Sequence, residues 1–451
     1  MSGPHNNIAA SCLALAVAFA LFWVGTIEAT CAAGFSDPFQ SPGAASVANA
    51  GETAIAEDAV TIFYNPAGMT MLSKPEAVLA SAIVLPSTRF SNGGTVDALG
   101  NLIHGSVGTN PQPFSPPSLF ATAPITDRVS IGLGVFIPFG QSTKYEDNWV
   151  GRYQVQTVSL KTIDIDPAIA YRPTDWVSLG VGLDVQYAHL LRDNALDFGS
   201  LCFLLIAPGT CSAIGLAPQR ADGRLVADIE DWNVGYNLGI LFQPTEQTRA
   251  GISYRSAVTH SLSGAARFDV PPAAEPLTAS GRLFRNTGAR SSITFPDIIG
   301  FGVSQQINER CTVLLDIDWT LWSKVKELAL TFDNPLQPAL RQPLNWHDSV
   351  RIAVGGLYQL TDDIELRGGV SYDQSPISDQ FRTADLPDSN QIALSAGLAY
   401  RITASLKATL SYTHQQWKAA SLKVTTPTTG TLNGTIHQHS DAFGFQARLQ
   451  F

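Results

Sequence analysis

Two basic residues, Arg255 and Lys324, each fall on the polar side of a segment in which apolar and polar residues alternate. A guanidinium or ammonium group in an apolar surrounding is what a carboxylate ligand needs in order to bind there. The alternative is that both cations pair with acids of the chain itself, for which the candidates are Asp164, Asp166, Asp316 and Asp373. The sequence leaves both interpretations open.

No enzyme signature accompanies these cations. The chain has no Gly-x-Ser-x-Gly, and its eight histidines include no His-x-x-x-His pair, so we expect no catalytic site, no metal site and no cofactor. A catalytic group scattered over several strands would escape such a search. Cys202 and Cys211 lie nine residues apart in an apolar segment, where an oxidising compartment would favour a loop disulfide.

The segments that must position these residues alternate with period two, as strands do. In the last of them, Phe443, Phe445, Leu449 and Phe451 share one side. A strand that stops at a terminal aromatic residue is typical of the closing strand of an outer-membrane barrel. Strand candidates begin near residues 76, 118, 128, 155, 175, 224, 247, 290, 309, 346, 363, 389, 405 and 439. These are about fourteen, an even number, as in single-chain bacterial barrels.

The connections between these candidates alternate between short and long, which favours short periplasmic turns and long outer loops. The predicted long loops cover residues 92–117, 140–154, 193–223, 270–289, 331–345, 375–388 and 421–438. Charged residues make up only 15% of the chain, yet after residue 30 no apolar run reaches the roughly 18 residues of a spanning helix. The predicted fold is therefore an all-β, antiparallel transmembrane barrel whose apolar side faces lipid and whose polar side lines the lumen. The net charge of −10 argues against nucleic acid as a partner.

The N-terminal part is organised differently. Residues 1–32 read as a signal peptide, with an apolar core and small residues at its end; an uncleaved anchor helix is the alternative. Residues 33–75 are rich in small residues and lack clean alternation, whereas residues 76–451 carry the alternating segments.

Several short motifs, taken in order, resemble the FadL-type outer-membrane transporters of long-chain fatty acids and other hydrophobic compounds. They are Ala33-Gly34-Phe35, Gly51-Glu52-Thr53-Ala54-Ile55-Ala56-Glu57-Asp58-Ala59, Asn65-Pro66-Ala67-Gly68-Met69, residues 144–153, Ser253-Tyr254-Arg255-Ser256, residues 318–323, residues 369–376 and Leu386-Pro387-Asp388-Ser389. The resemblance covers essentially the whole mature chain. It implies a fourteen-stranded barrel that an N-terminal hatch, here residues 33–75, plugs.

The resemblance also implies a route for the ligand. A hydrophobic molecule lands on the outer loops 193–223 and 270–289, enters a pocket in the barrel, and leaves sideways through a gap at a distorted strand while the hatch rearranges. The landing groove would use Leu201, Phe203, Leu204, Leu205 and Ile206, unless these residues pack on the barrel rim. The gate would use Asn65, Pro66 and Ala67 of the hatch together with Pro138, since proline cannot donate to a strand ladder; Pro167 and Pro296 are rival positions for the gap. Phe35 contacts the tail of the ligand or serves as packing.

The sequence therefore predicts a multi-pass protein of the bacterial outer membrane that takes up hydrophobic molecules passively, most of all long-chain fatty acids. Uptake of aromatic or aliphatic hydrocarbons is the alternative within this class. A general aqueous porin and a structural or adhesive barrel are alternatives from other classes. The expected partners are the hydrophobic ligand, outer-membrane lipid and lipopolysaccharide, and the barrel is expected to be a monomer.

Overall fold

The computed structural model describes residues 34–108, 113–276, 278 and 283–451. The predicted signal peptide, residues 1–32, lies outside the described residues. The strands are β1 (Glu76–Asn92), β2 (Pro117–Thr126), β3 (Val129–Phe136), β4 (Gly140–Lys144), β5 (Thr157–Thr174), β6 (Val177–Asp197), β7 (Asp222–Phe242), β8 (Thr248–Arg255), β9 (Val258–Asp269), β10 (Thr287–Phe295), β11 (Ile298–Gln306), β12 (Cys311–Thr320), β13 (Glu327–Phe332), β14 (Leu340–Pro343), β15 (Ser349–Gln359), β16 (Ile364–Asp373), β17 (Gln391–Arg401), β18 (Leu406–Trp417), β19 (Ala420–Thr426) and β20 (Gly430–Gln450).

Over the described residues these segments form one closed antiparallel barrel of fourteen strands, as predicted. The barrel closes where β1 pairs with β20, from Glu76 opposite Gln450 to Asn92 opposite Gly434. Six barrel strands consist of two segments each: β3 with β4, β8 with β9, β10 with β11, β12 with β13, β14 with β15, and β18 with β19. Closure leaves no sheet edge unpaired in lipid, where a free backbone group would be costly.

The two faces of the strands are distributed as the alternation predicts. In β6, Leu179, Val181 and Leu183 are exposed on the outside, whereas Asp184 and Gln186 are buried on the lumen side. An apolar exterior around a polar interior is the arrangement that a barrel needs in a bilayer.

One predicted loop is wrong over most of its length, and two others contain a strand: β4, which pairs with β5, lies within 140–154, and β14, which pairs with β13, lies within 331–345. Residues 421–438 were expected to form a long outer loop, but β19 and β20 pair through this stretch, from Ala420 opposite Ile436 to Thr426 opposite Gly430. The many threonines suggest a loop by composition. Leu422, Leu432 and Ile436 are nevertheless buried on the inner side of the hairpin, and this burial together with the backbone pairing makes the stretch a sheet.

Residues 34–75, here called the N-terminal segment, precede the barrel and lie inside it. They contain the short helices α1 (Pro42–Ala45), α2 (Glu52–Ile55) and α3 (Thr61–Tyr64) and a 3₁₀ helix (Pro66–Met71). The outer loops add α4 (Phe198–Leu205), α5 (Pro208–Ala213) and a 3₁₀ turn at Pro272–Ala274, and a further 3₁₀ turn at Trp322–Lys324 lies in the break between β12 and β13. In the described part of the chain, none of the helices is both long and apolar enough to cross a membrane.

Glycines on the lumen side of the barrel allow the N-terminal segment to approach the wall. A Cβ atom at Gly239 would lie 2.0 Å from Oδ1 of Asn65, and one at Gly180 would lie 2.3 Å from the backbone nitrogen of Ala67. The 3₁₀ helix therefore rests directly on the backbone of β6 and β7, and only glycine fits beneath it.

We predict that G180A and G239A each destabilise the seating of the 3₁₀ helix by about 1–3 kcal/mol, because the added methyl group overpacks the contact. Hydrogen–deuterium exchange of residues 61–71 in the folded protein measures this effect. G368A is the matched control, since a Cβ atom there has its nearest neighbour at 3.7 Å. Equal exchange in all three variants would contradict the prediction.

Candidate functional site

Asn65 links two parts of the N-terminal segment to the barrel wall. Its Oδ1 accepts a hydrogen bond from the backbone N–H of Ala67 (3.1 Å) and so caps the 3₁₀ helix. Its Nδ2 donates to the carbonyl oxygens of Thr53 (2.7 Å) and Ile240 (3.1 Å). Pro66 follows at the first helical position, where a missing N–H costs nothing.

Arginines of the barrel wall donate to backbone carbonyls of the N-terminal segment at four places. The pairs are Arg249 with Ile55 (2.6 Å), Arg255 with Phe63 (3.1 Å), Arg351 with Ala48 (3.1 Å) and Arg367 with Gly43 (3.4 Å). Helices of four residues leave most of their carbonyls without an intrahelical partner. The arginines supply donors to some of these carbonyls and hold the segment in the lumen.

The third barrel strand is interrupted at residues 137–139, between β3 and β4. At this point the start of the N-terminal segment takes over the backbone bonds. Asp37 N–H donates to the carbonyl of Pro138 (3.0 Å), Gly140 N–H donates to the carbonyl of Phe35 (2.8 Å), and Ser36 forms an antiparallel bridge with Phe139. In the described pairings β3 contacts both β2 and β5, whereas β4 pairs with β5. The sheet is therefore open towards β2 beyond the interruption.

Phe35 is packed in an aromatic cluster beside this interruption. Its ring lies 4.8 Å from that of Trp322, 5.2 Å from that of Trp346 and 5.6 Å from that of Phe295. Phe295 in turn stacks on Phe139 at 4.7 Å. With only 3% of its surface exposed, Phe35 packs against the barrel in this state.

A cavity with about 950 Å³ of empty space, part of it open to solvent, lies between the N-terminal segment and the wall. Its lining is Ser36, Asp37, Pro38, Asn49, Thr53, Phe63, Tyr64 and Pro66 of the N-terminal segment, Pro138 of the interruption, and Asn237, Leu238, Ser253, Tyr254, Arg255, Ile298, Asp318, Thr320, Trp322, Ser349, Arg351 and Asp373 of the barrel. Aromatic and aliphatic surface is combined with many polar groups, among them Arg255, Arg351 and the aspartates Asp37, Asp318 and Asp373.

The structure places the two predicted cations differently. Arg255 lines the cavity, and it also pairs with Asp184 and lies 3.8 Å from both Asp164 and Asp166. Lys324 is about half exposed, lies in the 3₁₀ turn that follows β12, and pairs with Asp297. The alternation that put Lys324 beside Asp318 ends at Thr320, so sequence parity does not apply to it.

The outer loops present an apolar surface. In α4, Phe198 and Cys202 are buried against Leu216 and Ala274, and Cys202 is joined to Cys211 by a disulfide. Leu204, Leu205 and Ile206 at the end of the helix are 42%, 68% and 55% exposed. Leu201 and Phe203 are half-buried. Loop 270–286 packs against α4 through Ala274, Val270 and Phe284.

Sequence reasoning missed most of the residues that line the cavity, and Arg351 and Asp37 are two charged examples. Arg351 donates to Asp318 (2.9 Å) and to the carbonyl of Ala48, and its place on the lumen side of β15 could have been found from alternation. Asp37 gives no such signal, because it lies in a segment without periodicity. Its Oδ1 accepts from Phe39 N–H (2.9 Å), and its Oδ2 is buried without a hydrogen-bond partner among the described residues. Burial raises the pKa of Asp37 to about 7.

Fold and site together define a class of protein: an outer-membrane β-barrel with a filled lumen and a cavity next to a broken strand. The family described as "Outer membrane protein transport protein (OMPP1/FadL/TodX)" matches residues 24–451. The chain therefore belongs to this family of outer-membrane transporters of hydrophobic compounds, which are membrane transport channels and not enzymes.

The similar proteins agree with this assignment. The chain is 29% identical to "Putative outer membrane protein NMB0088" of Neisseria meningitidis, over 93% of this chain and 95% of that one. It is 28% identical to "Long-chain fatty acid transport protein" of Escherichia coli O6:H1, over 89% and 91%.

Among solved structures, a FadL homologue of Pseudomonas aeruginosa superposes with a TM-score of 0.84 at 23% identity, over 93% of this chain and 100% of that one. The Ralstonia pickettii toluene transporter TbuX superposes with a TM-score of 0.64 at 19% identity, over 92% and 99%. These two structures support the fold. The protein is thus located in the bacterial outer membrane, as predicted.

Because the folded state raises the pKa of Asp37, it binds a proton more tightly than the unfolded chain does. Stability contributed by this group is therefore full below about pH 4 and is lost as the pH rises towards 7, by at most about 4 kcal/mol. We predict that the thermal midpoint of unfolding in detergent decreases when the pH is raised from 5 to 7, and that D37N makes this decrease smaller. If D37N left the pH dependence of the thermal midpoint unchanged, a raised pKa of Asp37 would not be its cause.

Proposed function

We propose that the protein is a passive channel for long-chain fatty acids. The observation that carries the proposal is the cavity between the N-terminal segment and the interruption of the third strand, with apolar and aromatic lining and two arginines, Arg255 and Arg351, in its wall. An amphipathic ligand can place its hydrocarbon chain against the apolar and aromatic lining and its head group at the two arginines.

Entry begins at the outer loops. Leu204, Leu205 and Ile206 form an exposed apolar patch on a disulfide-linked helical loop, and such a patch is typical of a binding site for a hydrophobic partner. Leu201 and Phe203 adjoin it and would form the inner side of the landing groove.

The head group of the ligand would meet polar groups in the lumen. Arg255 and Arg351 are the cations that line the cavity, and each is shared with aspartates and with a carbonyl of the N-terminal segment. A ligand carboxylate would compete for these donors. Binding would thereby weaken the hold of the barrel on the N-terminal segment. In this proposal Lys324 contributes beside the cavity, next to Trp322, through its pairing with Asp297.

Exit is lateral, past Pro138. In this proposal the N-terminal segment is the hatch that the sequence predicts for residues 33–75: its first residues close the interruption through backbone hydrogen bonds, and Asn65, Pro66 and Ala67 anchor its other end. Phe35 blocks the path and must leave the aromatic cluster when a ligand passes. The apolar exterior would let the barrel act as a monomer among outer-membrane lipid and lipopolysaccharide.

Aromatic hydrocarbons are the second candidate ligand. The rings of Phe63, Tyr64, Tyr254 and Trp322 line the cavity, and they suit a compact apolar ligand without a head group. Structures of similar fold are named as toluene and monoaromatic hydrocarbon channels.

We predict that cells lacking their own transporter gain uptake of labelled oleate, and not of a hydrophilic sugar, when they produce this protein. L204D/L205D should abolish the gain because charges replace the apolar landing surface, whereas the matched control L204M/L205M should retain it. Uptake of toluene without oleate would transfer the proposal to hydrocarbons, and sugar permeation alone would refute both.

We further predict that a tether between the N-terminal segment and the interruption reduces oleate uptake. S36C/F139C joins a bridged pair, and its oxidation should lower uptake until a reductant restores it. S36C alone and the wild type with reductant serve as controls, the latter because Cys202–Cys211 is also reducible. Full uptake by the verified cross-linked form would show that the segment need not move there.

A further inference from the structure

The barrel wall has a second irregularity, between the sixth and seventh strands, four strands along the wall from the opening between the second and third strands. Strand β7 pairs with β8 over residues 237–242 and with β9 over residues 224–230. In the described pairings residues 231–236 therefore have no ladder on this side. At roughly 3.3 Å per residue, these six positions span about 20 Å of strand.

Side chains replace the missing ladder. Tyr236 N–H donates to the hydroxyl of Ser256 (2.9 Å), and Ser261 N–H donates to a carboxylate oxygen of Asp231 (3.0 Å). The amide of Asn233 donates to the carbonyl of Thr259 (2.5 Å). One backbone bond remains in this stretch, from Ser256 N–H to the carbonyl of Tyr236 (2.9 Å). Two strands that are joined by a few side-chain hydrogen bonds separate more easily than two strands that are joined by a continuous backbone ladder.

The seventh and eighth strands break at the same level and are held together there. Asp297, in the break between β10 and β11, accepts from the hydroxyl of Tyr254 (2.6 Å) and from Ala257 N–H (3.2 Å). Arg255 pairs with Ile298 and Val258 pairs with Phe295, on either side of both breaks. The two strands can therefore shift as one unit relative to β7.

The lumen cavity lies directly next to the stretch without a ladder. Asn237, Leu238, Ser253, Tyr254 and Arg255 line the cavity, and they belong to the end of the ladder between β7 and β8 at which this stretch begins. Residues 231–236 and 256–259 are not among the residues that line the cavity. Separation of the strands at this stretch would therefore extend the cavity towards the membrane.

Unsatisfied polar atoms collect directly behind the opening. Among the described residues, buried atoms without a hydrogen-bond partner include Oδ1 of Asp166, Oδ2 of Asp184 and Oδ1 of Asn237. Buried polar groups are normally paired, so such a cluster needs an explanation. A passage that admits the polar end of a ligand supplies one.

We infer that the slit between residues 231–236 of β7 and the junction of β8 and β9, residues 256–259, is a second lateral portal through which the hydrophobic ligand exchanges between cavity and membrane. The inference rests on the proposed function. It differs from the exit at Pro138 in position and in what closes it: side-chain bonds between neighbouring strands, without participation of the N-terminal segment.

A cross-link across the slit tests the portal. A Cβ atom at Gly235 would lie 2.6 Å from a methyl carbon of Val258, so G235C/V258C brings two cysteines within disulfide reach. A227C/A266C is the matched control: the two alanines are buried ladder partners in the closed part of the same strand pair. We expect oxidised G235C/V258C to show a partial loss of oleate uptake that reductant reverses, and the oxidised control to show none.

Combining cross-links separates the two exits. Oxidised S36C/F139C should retain residual uptake, and adding G235C/V258C should eliminate it completely. Residual uptake that persists after both are oxidised, or complete loss with S36C/F139C alone, would overturn the portal and leave the proposed function standing. Absence of oleate and toluene uptake by the wild type would instead refute the proposed function.

A labelling experiment on the wild type avoids dependence on variants that fail to fold. A photoreactive fatty acid in vesicles should label the lumen-side positions Gly235, Ser256 and Val258. Labelling confined to membrane-facing positions such as Val234 would contradict the portal.

Discussion

The structure depends on one constraint: an irregular peptide segment is buried inside a closed barrel, and its backbone groups must be satisfied there. Short helices cannot do this themselves, because nearly all of their carbonyls lie at helix ends. The barrel provides donors from its lumen side through Arg249, Arg255, Arg351 and Arg367, and the amide of Asn65 in the segment itself donates to the carbonyl of Thr53. The glycines beneath Pro66 and Ala67 let the segment come close enough to use them.

The same constraint makes the arrangement changeable. The N-terminal segment is held by side-chain hydrogen bonds, a short backbone bridge, ion pairs of Glu57 and the packing of Phe35, all of them noncovalent, so no single one holds it irreversibly. The bridge between Ser36 and Phe139 replaces strand pairing at the interruption of the third strand, and it is noncovalent as well. A ligand that offers acceptors to the arginines, or apolar surface to the Phe35 cluster, competes with the segment for groups that already line the cavity.

The barrel was predictable because lipid outside and polar groups inside impose period two on every strand. The breaks were harder to predict, since nothing in the alternation shows where a ladder ends. Pro138 marked one of them, because proline lacks the N–H that a ladder needs. No residue of the sequence marks the 3₁₀ turn around Lys324 in this way. Because of the turn, Lys324 does not line the lumen as predicted but is half exposed beside Asp297.

The cavity itself was not predictable from the sequence. Its charged groups come from distant positions, as Asp37 and Arg351 show, and only closure of the barrel brings them together. The prediction of a loop at 421–438 was wrong for a different reason. A threonine-rich stretch resembles a loop by composition, but the buried side of a sheet needs only a few apolar residues such as Leu422 and Leu432.

The central claim is that a hydrophobic ligand occupies the cavity between the N-terminal segment and the interruption at Pro138. A crystal structure of the protein with a brominated fatty acid tests it directly, since bromine is located by its anomalous signal. The account predicts bromine density in the cavity beside Trp322 and Pro138, with the carboxyl group near Arg351 or Arg255. Bromine found only on the outer loops or on the barrel exterior, with the cavity unchanged, would contradict it.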